Sequence, residues 1–222
     1  MNVQEICGKI DHTILQPECT WEEVKKVCEE AVKYRTATAC IPPSFVKSAA
    51  KWRSQEENDL RICTVVGFPN GYQTTSVKCF ETEQVLRDGA DEVDMVIHIG
   101  WVKEKKYAEL LEEIRNIRSI CGEKVLKVII ETCLLNEYEK IKMCDIVSES
   151  GTDFIKTSTG FSKEGATPED VSLLRKYVSP YVQVKAAGGI RSIADAVWML
   201  GAGANRLGTS SLIKASVGKA LL

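Results

Sequence analysis

The sequence alternates short apolar runs with longer amphipathic runs, and this alternation limits the possible folds more than any other feature. The apolar runs predict strands over residues 9–15, 36–41, 61–68, 91–97, 124–130, 153–158, 181–186 and 205–210. Helical patterns follow from Thr20, near Ser44, over about 75–88, 101–120 and 136–150, from Thr167, over about 192–200 and after residue 210. Strands that alternate with helices are typical of a parallel sheet covered by helices.

Eight strand–helix units favour a closed barrel. The alternative is an open, doubly wound sheet, whose usual signature is G-x-G-x-x-G after the first strand. Here the first strand is followed by QPECTWEE, which lacks that signature. The sequence contains no linker, low-complexity tract or charge block. We therefore predict an α/β protein with a single (β/α)8 TIM-barrel domain over residues 1–222.

The charge balance excludes several classes of partner. The chain has 29 Lys and Arg against 31 Asp and Glu, a net charge of -2. Proteins that bind nucleic acid or a membrane surface carry a basic excess, so we expect neither partner. No apolar run approaches the roughly 18 residues that a membrane span needs.

The nine cysteines do not form the pattern of a disulfide framework. Their number is odd, they are spread from Cys7 to Cys144, and none forms a C-x-x-C pair. The N-terminal segment lacks the basic and apolar regions of a signal peptide. We therefore expect reduced cysteines and a cytoplasmic protein. Cys40 is interpreted as a packing residue, and with two histidines in the chain we expect no metal site.

Three predicted strands carry an ionisable residue within an apolar run: Asp94, Lys156 and Lys185. Side chains alternate along a strand, so these three should point into the barrel while their apolar neighbours pack on the helices. Each lies late in its predicted strand, and active sites of barrels lie at the C-terminal ends of the strands. A single buried lysine is often only an ion-paired residue. Three such residues at one level predict an active site.

The chemistry that suits this set is Schiff-base formation. Lysine must lose its proton before it attacks a carbonyl carbon, and a free lysine at pH 7 is neutral in only about one part in 2,500. A neighbouring cation and burial both favour the neutral amine. Two lysines with one carboxylate therefore predict an imine with an aldehyde or ketone, with the carboxylate as proton carrier.

The turns after three predicted strands contain glycine and small hydroxyl residues. Backbone N–H groups at the start of a helix bind phosphate, and many barrels hold a substrate phosphate after strands seven and eight. The alternative is that these are tight turns with helix caps at Ser192 and Ser210. We favour a phosphate site, with Gly160 after the sixth strand, Gly188 and Gly189 after the seventh, and Gly208, Ser210 and Ser211 around the end of the eighth.

These segments resemble the signatures of the deoxyribose-phosphate aldolase family. The residues that carry the resemblance are FIKTSTG at 154–160, VKAAGGIR at 184–191, DHT at 11–13, CIPPSFV at 40–46, VGFP at 66–69 and EVDMV at 92–96. The resemblance covers essentially the whole chain. It implies a lyase on a (β/α)8 barrel, a class I aldolase with no metal or organic cofactor. Such an enzyme reversibly cleaves 2-deoxy-D-ribose 5-phosphate to D-glyceraldehyde 3-phosphate and acetaldehyde, a step in deoxyribose phosphate breakdown.

The resemblance also implies roles for individual residues. Lys156 would form the Schiff base, and Lys185 would favour loss of the Lys156 proton and take part in proton transfer. Asp94 would donate and accept protons through a bound water. Asp11 would position Lys185 and the substrate hydroxyls. A homodimer is expected for this family.

The chain departs from the family pattern at three places. His98 replaces an asparagine at the barrel rim, where a titratable group could change the local pH dependence. Phe161 replaces a lysine that aids phosphate binding in some members, so we expect weaker phosphate binding. The sequence ends in KALL at 219–222, without a C-terminal tyrosine, so Asp94 and water would carry proton exchange at the enamine carbon.

Two other functions stay open at this point. A different imine-forming barrel, such as a transaldolase-like enzyme, would share the lysine but prefer another donor. A barrel that binds a sugar phosphate without turning it over is the non-enzymatic alternative. The intact set of Asp94, Lys156 and Lys185 argues against it.

Overall fold

A closed barrel of parallel strands forms the centre of the molecule in the computed structural model, which describes residues 2–213. Each strand pairs in parallel with the next, and β8 pairs with β1 to close the ring. The strands are β1 Ile10–Thr13, β2 Thr38–Ile41, β3 Ile62–Val66, β4 Glu92–Val96, β5 Val125–Ile129, β6 Phe154–Lys156, β7 Gln183–Ala187 and β8 Arg206–Thr209. The predicted (β/α)8 barrel is therefore confirmed for the described residues, and the exact domain bounds stay a prediction.

Helices surround the barrel in the described part of the chain. They are α1 Val3–Cys7, α2 Trp21–Tyr34, α3 Val46–Gln55, α4 Thr75–Arg87, α5 Ile99–Lys103, α6 Tyr107–Cys121, α7 Glu137–Glu149, α8 Pro168–Tyr177 and α9 Ile193–Gly201. Two 3-10 turns, Pro43–Phe45 and Thr132–Leu134, follow β2 and β5. The predicted terminal helix lies almost entirely outside the described residues.

The helix starts follow from local capping chemistry. Thr20 accepts a hydrogen bond from the N–H of Glu23, whose side chain bonds back to Thr20, as the capping-box spacing predicts. Ser192 and Asp195 form the same arrangement at α9, and Thr167 caps α8 just before its N-terminal proline. These caps fix where the chain turns from each strand into its helix.

Two helical features differ from the prediction. Helix α1 precedes the first strand and was not predicted, because its single turn is too short to show a period. The helix predicted over 101–120 is interrupted between α5 and α6, where Lys105 adopts a left-handed backbone conformation with φ of 58°. Such a conformation cannot continue a right-handed helix.

Two apolar regions lie on opposite sides of the barrel wall. The large core between strands and helices contains the residues that alternate with the predicted site residues, including Val93, Met95, Ile155 and Val184. A small separate cluster contains Cys40, Cys63 and Val65. The strand alternation thus sends apolar side chains outward onto the helices and leaves the barrel interior for polar groups.

None of the described helices has the length and hydropathy that a bilayer crossing requires.

Candidate active site

The strand register places the predicted site residues side by side. Lys156 on β6 pairs with Lys185 on β7, and Lys185 pairs with Arg206 on β8. Asp94 on β4 pairs with Lys127 on β5. In-register residues of parallel strands project to the same face, so all five side chains enter the barrel interior at neighbouring heights.

Asp94 is the centre of this group. One of its carboxylate oxygens, Oδ2, accepts hydrogen bonds from Lys156 Nζ and Lys185 Nζ, each at 2.7 Å. The other oxygen, Oδ1, accepts from Lys127 Nζ at 2.8 Å and from the Cys63 thiol at 3.3 Å. The carboxylate is fully buried. Asp94, Lys156 and Lys185 are therefore brought together as the sequence predicted.

The three lysines control the protonation of Asp94. Burial alone would raise the pKa of its carboxyl, because a buried charge loses hydration. The ammonium groups of Lys127, Lys156 and Lys185 outweigh burial and hold the pKa of Asp94 well below its usual range. Asp94 is thus a carboxylate at neutral pH.

Asp11 holds Lys185 from the other side. Asp11 Oδ2 accepts a short hydrogen bond from Lys185 Nζ, while Oδ1 accepts from Thr38 Oγ1 at 2.8 Å and from Arg206 at 2.6 Å. Burial would raise the pKa of Asp11, but Lys185, Lys127 and Arg206 together lower it. Asp11 is fully buried on β1, so the structure supports its contact with Lys185.

The lysines differ in how many carboxylates surround them. Lys127 Nζ lies 2.6 Å from Glu92, 2.8 Å from Asp94 and 3.7 Å from Asp11. Lys185 contacts two carboxylates, those of Asp11 and Asp94. Lys156 contacts one, that of Asp94, among the described residues. Lys156 is therefore the least neutralised ammonium of the three.

The acids also keep Lys185 charged. Burial would lower the pKa of Lys185, but Asp11 and Asp94 outweigh burial and raise it above its ordinary value of 10.5. Burial would likewise lower the pKa of Lys127, and Asp94 with the other nearby acids raises it instead. Both stay cations at neutral pH.

A cavity of about 210 Å³ opens beside Lys156. Lys156 is the member of the charged group that lines it, among the described residues. All six residues of the predicted phosphate site line the same cavity: Gly160, Gly188, Gly189, Gly208, Ser210 and Ser211. One space therefore connects the least neutralised lysine to the glycine and serine turns.

The glycines at this end of the cavity allow a close approach of the backbone. A Cβ on Gly188 would lie 2.9 Å from the Cα of Gly165, and the φ of Gly188 is +83°. Gly160 has φ of +85°, and Gly189 has φ of +79°. The positive φ favours glycine at all three positions, and the close backbone approach adds a steric requirement at Gly188.

The positions that depart from the family pattern have definite places. His98 is the N-cap of α5: its Nδ1 accepts from the N–H of Trp101 at 3.3 Å, and its ring stacks on the Trp101 ring at 4.5 Å. Phe161 lines the 210 Å³ cavity and packs edge-on against Phe68 at 5.3 Å. The 219–222 segment lies outside the described residues.

Sequence reasoning missed several members of the charged group. Lys127 and Glu92 are fully buried within β5 and β4, and Arg206 starts β8. Lys127 carried the same signal as Asp94, because it is an ionisable residue within the apolar run KVLKVII. With Lys127 and Arg206 included, four cations within the barrel face the carboxylates of Asp11, Glu92 and Asp94, and the half-exposed Arg61 adds a fifth at 3.2 Å from Glu92.

Glu131 is a further residue that the sequence did not indicate. It is buried directly after β5, in a left-handed conformation with φ of 52°. Its carboxylate accepts from the Thr159 N–H at 3.2 Å and from the Thr159 hydroxyl at 2.5 Å. Burial raises the pKa of the Glu131 carboxyl, and the Thr159 bonds offset part of that rise. Glu131 thus fixes the backbone next to Gly160.

Two sets of three side chains have candidate metal-ligand atoms within 4.8 Å of one another. The first set is Cys40, Cys63 and Asp94, and the second is Asp11, Cys63 and Glu92. Lys127 Nζ lies 3.4 Å from Cys63 Sγ and bonds to Asp94. A divalent cation at either place would meet this ammonium at short range, so the donor set does not favour a metal.

Comparisons with known proteins agree on one family. Residues 6–216 match the model of the DeoC/LacD family aldolases. The chain is 52% identical over 212 residues to a deoxyribose-phosphate aldolase from Clostridioides difficile (strain 630), covering 96% of this chain and 95% of that protein. It is 51% identical over 214 residues to one from Streptococcus pyogenes serotype M4, with the same coverage.

Solved structures give the same result. An aldolase named QR15 superposes with a TM-score of 0.91 at 36% identity, covering 97% of each chain. A deoxyribose phosphate aldolase from Aeropyrum pernix, described as a unique tetramer, superposes with a TM-score of 0.87 at 34% identity. That match covers 99% of this chain and 93% of the other.

Proposed function

Because the chain belongs to the DeoC/LacD family of aldolases, we propose that it reversibly cleaves 2-deoxy-D-ribose 5-phosphate to D-glyceraldehyde 3-phosphate and acetaldehyde. The reaction proceeds through a lysine Schiff base. Its place is in the breakdown of deoxyribose phosphate. Relatives at about half identity over nearly the full length carry the name of this activity.

Lys156 is the nucleophile, and one observation carries this assignment. Of the three buried lysines around Asp94, Lys156 has the fewest carboxylate partners and is the one that lines the cavity. An ammonium with one carboxylate partner releases its proton at lower cost than one held by two or three. The proton has a direct acceptor in Asp94 Oδ2 at 2.7 Å.

Proton movement changes the basicity of Asp94. When Lys156 becomes neutral, Asp94 loses one of the three cations that hold its pKa low. Asp94 then accepts and returns protons more readily, through a water, during formation and hydrolysis of the imine. Lys185 remains a cation that repels the Lys156 ammonium and offers a proton to the same oxygen.

The protonated imine then drives cleavage of the carbon–carbon bond. Lys156 attacks C1 of the open-chain sugar, and loss of water gives the imine. Asp94, through a water, accepts the 3-hydroxyl proton as the C2–C3 bond breaks and D-glyceraldehyde 3-phosphate leaves. The electron pair of that bond moves into the imine to form an enamine. Protonation of the enamine carbon, with Asp94 and water as the proton source, gives the acetaldehyde imine, which water hydrolyses.

The glycine and serine turns hold the 5-phosphate. Gly160, Gly188, Gly189 and Gly208 bring backbone close to the cavity, and Ser210 and Ser211 add hydroxyl groups at the end of β8. Their shared cavity with Lys156 supports a substrate that carries its aldehyde and its phosphate at opposite ends. Phe161 supplies no charge where some relatives have a lysine, so N–H and hydroxyl donors, together with Arg191 in the cavity lining, would bind the phosphate.

Asp11 acts through Lys185. It is fully buried and bonds directly to the Lys185 ammonium, so its role is to hold that cation beside Asp94. Arg206 and Thr38 fix the other carboxylate oxygen.

The test is cleavage of 2-deoxy-D-ribose 5-phosphate by the purified chain, with both products quantified by NMR. Lys156→Arg keeps the charge but cannot form the imine, so we expect no detectable cleavage. Lys140→Arg is the matched control, because Lys140 pairs with Asp170 at 2.5 Å on the helical layer. Absence of cleavage by the unaltered chain would overturn the proposed activity, and full activity of Lys156→Arg would overturn the mechanism.

We propose a homodimer as the assembly in solution. Helix α4 exposes Val77 and Phe80, which lie three residues apart on one face, with exposed fractions of 51% and 64%. Large exposed apolar side chains in one patch are typical of an interface. Light scattering should give twice the mass of the chain, and Phe80→Glu should shift the mass towards the monomer. A monomeric mass for the unaltered chain would contradict the proposal.

A cytoplasmic location is supported by the cysteines. Their odd number and the lack of any C-x-x-C pair are typical of cysteines that stay reduced in that compartment. Fractionation of the source cells with an antibody to the chain tests this location, and recovery outside the cytoplasmic fraction would contradict it.

A further inference from the structure

Two cysteines face each other inside the barrel, beside the proposed catalytic group. Cys40 on β2 is the in-register partner of Cys63 on β3. Both are buried, at 1% and 0% exposure. Their sulfur atoms lie within 4.8 Å of each other and of an Asp94 carboxylate oxygen. The mechanism proposed above uses neither thiol.

The backbone separation of this pair suits a disulfide bond. Adjacent strands lie about 4.8 Å apart, and disulfides span Cα separations of about 4.4–6.8 Å. The Cys63 thiol points inward, because it donates to Asp94 Oδ1 at 3.3 Å and lies 3.4 Å from Lys127 Nζ. The two side chains project to the same face of in-register strands, so a side-chain rotation would bring the sulfur atoms closer together.

The two thiols also have complementary acidities. The contact with the Cys63 side chain, with help from the nearby Lys185 and Lys156 ammonium groups, lowers the pKa of Cys40 although burial opposes it. Burial, the contact with Cys40 and the negative charge of Asp94 hold the pKa of Cys63 well above its ordinary value. Cys40 is thus the more acidic thiol and the one that would attack an oxidant as its thiolate, and Cys63 is the neighbouring thiol that would resolve the product.

We propose that Cys40 and Cys63 form a reversible disulfide on reaction with hydrogen peroxide, and that this bond slows turnover at the proposed aldolase site. The Cys40 thiolate attacks one peroxide oxygen and becomes a sulfenic acid, and hydroxide leaves and is protonated to water. Cys63 then attacks the Cys40 sulfur, which forms the S–S bond and releases the second water. The two thiols lose two electrons and two protons in total, and the peroxide is reduced.

The switch acts through Asp94. The disulfide has no S–H group, so Asp94 Oδ1 loses the donor that Cys63 provides in the reduced protein. The Cys63 sulfur also turns from Lys127, which shares the same carboxylate oxygen. This effect on turnover rests on the proposed role of Asp94, whereas formation of the bond does not.

A small oxidant has a short route to the pair. Leu15 lines the 210 Å³ cavity and also packs against the cluster that contains Cys40 and Cys63. Leu15 therefore contacts both the cavity and the cluster that contains the thiols. Hydrogen peroxide is small and uncharged, so it passes where a bulky reagent cannot.

The experiment treats the full reduced chain with hydrogen peroxide, blocks free thiols, and maps disulfides by mass spectrometry without reduction. We expect a linked pair of peptides that contain Cys40 and Cys63. Aldolase activity should fall by about tenfold, the factor for loss of one hydrogen bond to a charged group. Dithiothreitol should restore the activity and separate the peptides.

Three variants make the result specific, each compared with its own untreated rate. Cys40→Ala and Cys63→Ala should each keep their activity when treated with peroxide. If one of the two variants does not fold, the other is enough for the test. Cys133→Ala is the control: Cys133 is only partly buried and bonds to Ser162 at 3.4 Å, so its removal should leave the sensitivity unchanged. Absence of the linked peptides, or linkage without loss of activity, would overturn the proposal. Linked peptides in a chain without any aldolase activity would instead refute only the proposed function.

Discussion

Replacement of Lys185 by methionine tests how the buried charges prepare Lys156. The Lys185 ammonium shares Asp94 Oδ2 with the Lys156 ammonium, and both lie 2.7 Å from that oxygen. Methionine follows the path of the lysine stem but removes the charge. Asp94 keeps Lys127 and Lys156, and Asp11 keeps Arg206 and Thr38, so both acids remain paired and the barrel should fold.

The expected effect follows from Coulomb repulsion. Two unit charges about 4 Å apart interact by about 4 kcal/mol at an effective dielectric constant of about 20. Loss of about 3 to 4 kcal/mol of such an interaction corresponds to between about two and three powers of ten in rate. We expect kcat/KM for 2-deoxy-D-ribose 5-phosphate to fall by about that factor near neutral pH and to recover partly as the pH rises.

The assay is the pH profile of kcat/KM for the unaltered chain and for Lys185→Met. Thermal unfolding and binding of inorganic phosphate serve as controls, and both should be close to those of the unaltered chain. A rate near that of the unaltered chain at neutral pH would refute the role of Lys185. An equal loss at every pH would refute the electrostatic explanation, because a purely structural defect does not recover in alkali.

Three further changes give distinct outcomes. Gly188→Ala places a Cβ 2.9 Å from the Gly165 backbone. The resulting strain at the turn should raise KM for the phosphorylated sugar about tenfold and change cleavage of unphosphorylated 2-deoxyribose little. Equal effects on both substrates would exclude a phosphate role for this turn. Lys78→Met removes the ion-pair partner of the fully buried Glu113, 2.7 Å away. It should lower the free energy of unfolding, measured in urea, by about 3 to 5 kcal/mol. Adding Glu113→Gln should recover part of this loss, and failure to do so would contradict the ion-pair explanation. Burial raises the pKa of the Cys28 thiol from 9.0 to about 12. The contribution of the neutral thiol to the free energy of unfolding is therefore complete below about pH 9 and falls by up to about 1.4 kcal/mol per pH unit above it. Cys28→Ala should reduce this alkaline fall in stability with pH, and an unchanged fall would contradict the prediction.

The sequence was sufficient for the barrel and for the centre of the site. Alternation of strands and helices is a local property, so it predicted all eight strands to within a few residues. Asp94, Lys156 and Lys185 were found because a charge within an apolar strand needs a buried partner. The register that sets Lys156 beside Lys185 then followed from their similar places in adjacent strands.

The sharing of partners among the buried charges could not be predicted in the same way. Lys127 carried the same local signal as Asp94, but the signal does not say which acids a lysine contacts. The number of carboxylates around each lysine depends on β1, β4 and β5 together, which are distant in sequence. The Cys40–Cys63 pair shows the same limit, because Cys40 was interpreted as a packing residue and its partner is fixed by the register between β2 and β3.

Trapping of the imine tests the central claim most directly. The chain is incubated with acetaldehyde, reduced with borohydride, digested and mapped by mass spectrometry. We predict one added ethyl group on Lys156, and none on Lys127 or Lys185, whose pKa values are raised by their carboxylate partners. An adduct on Lys185, or no adduct on Lys156, would contradict the assignment of Lys156 as the nucleophile.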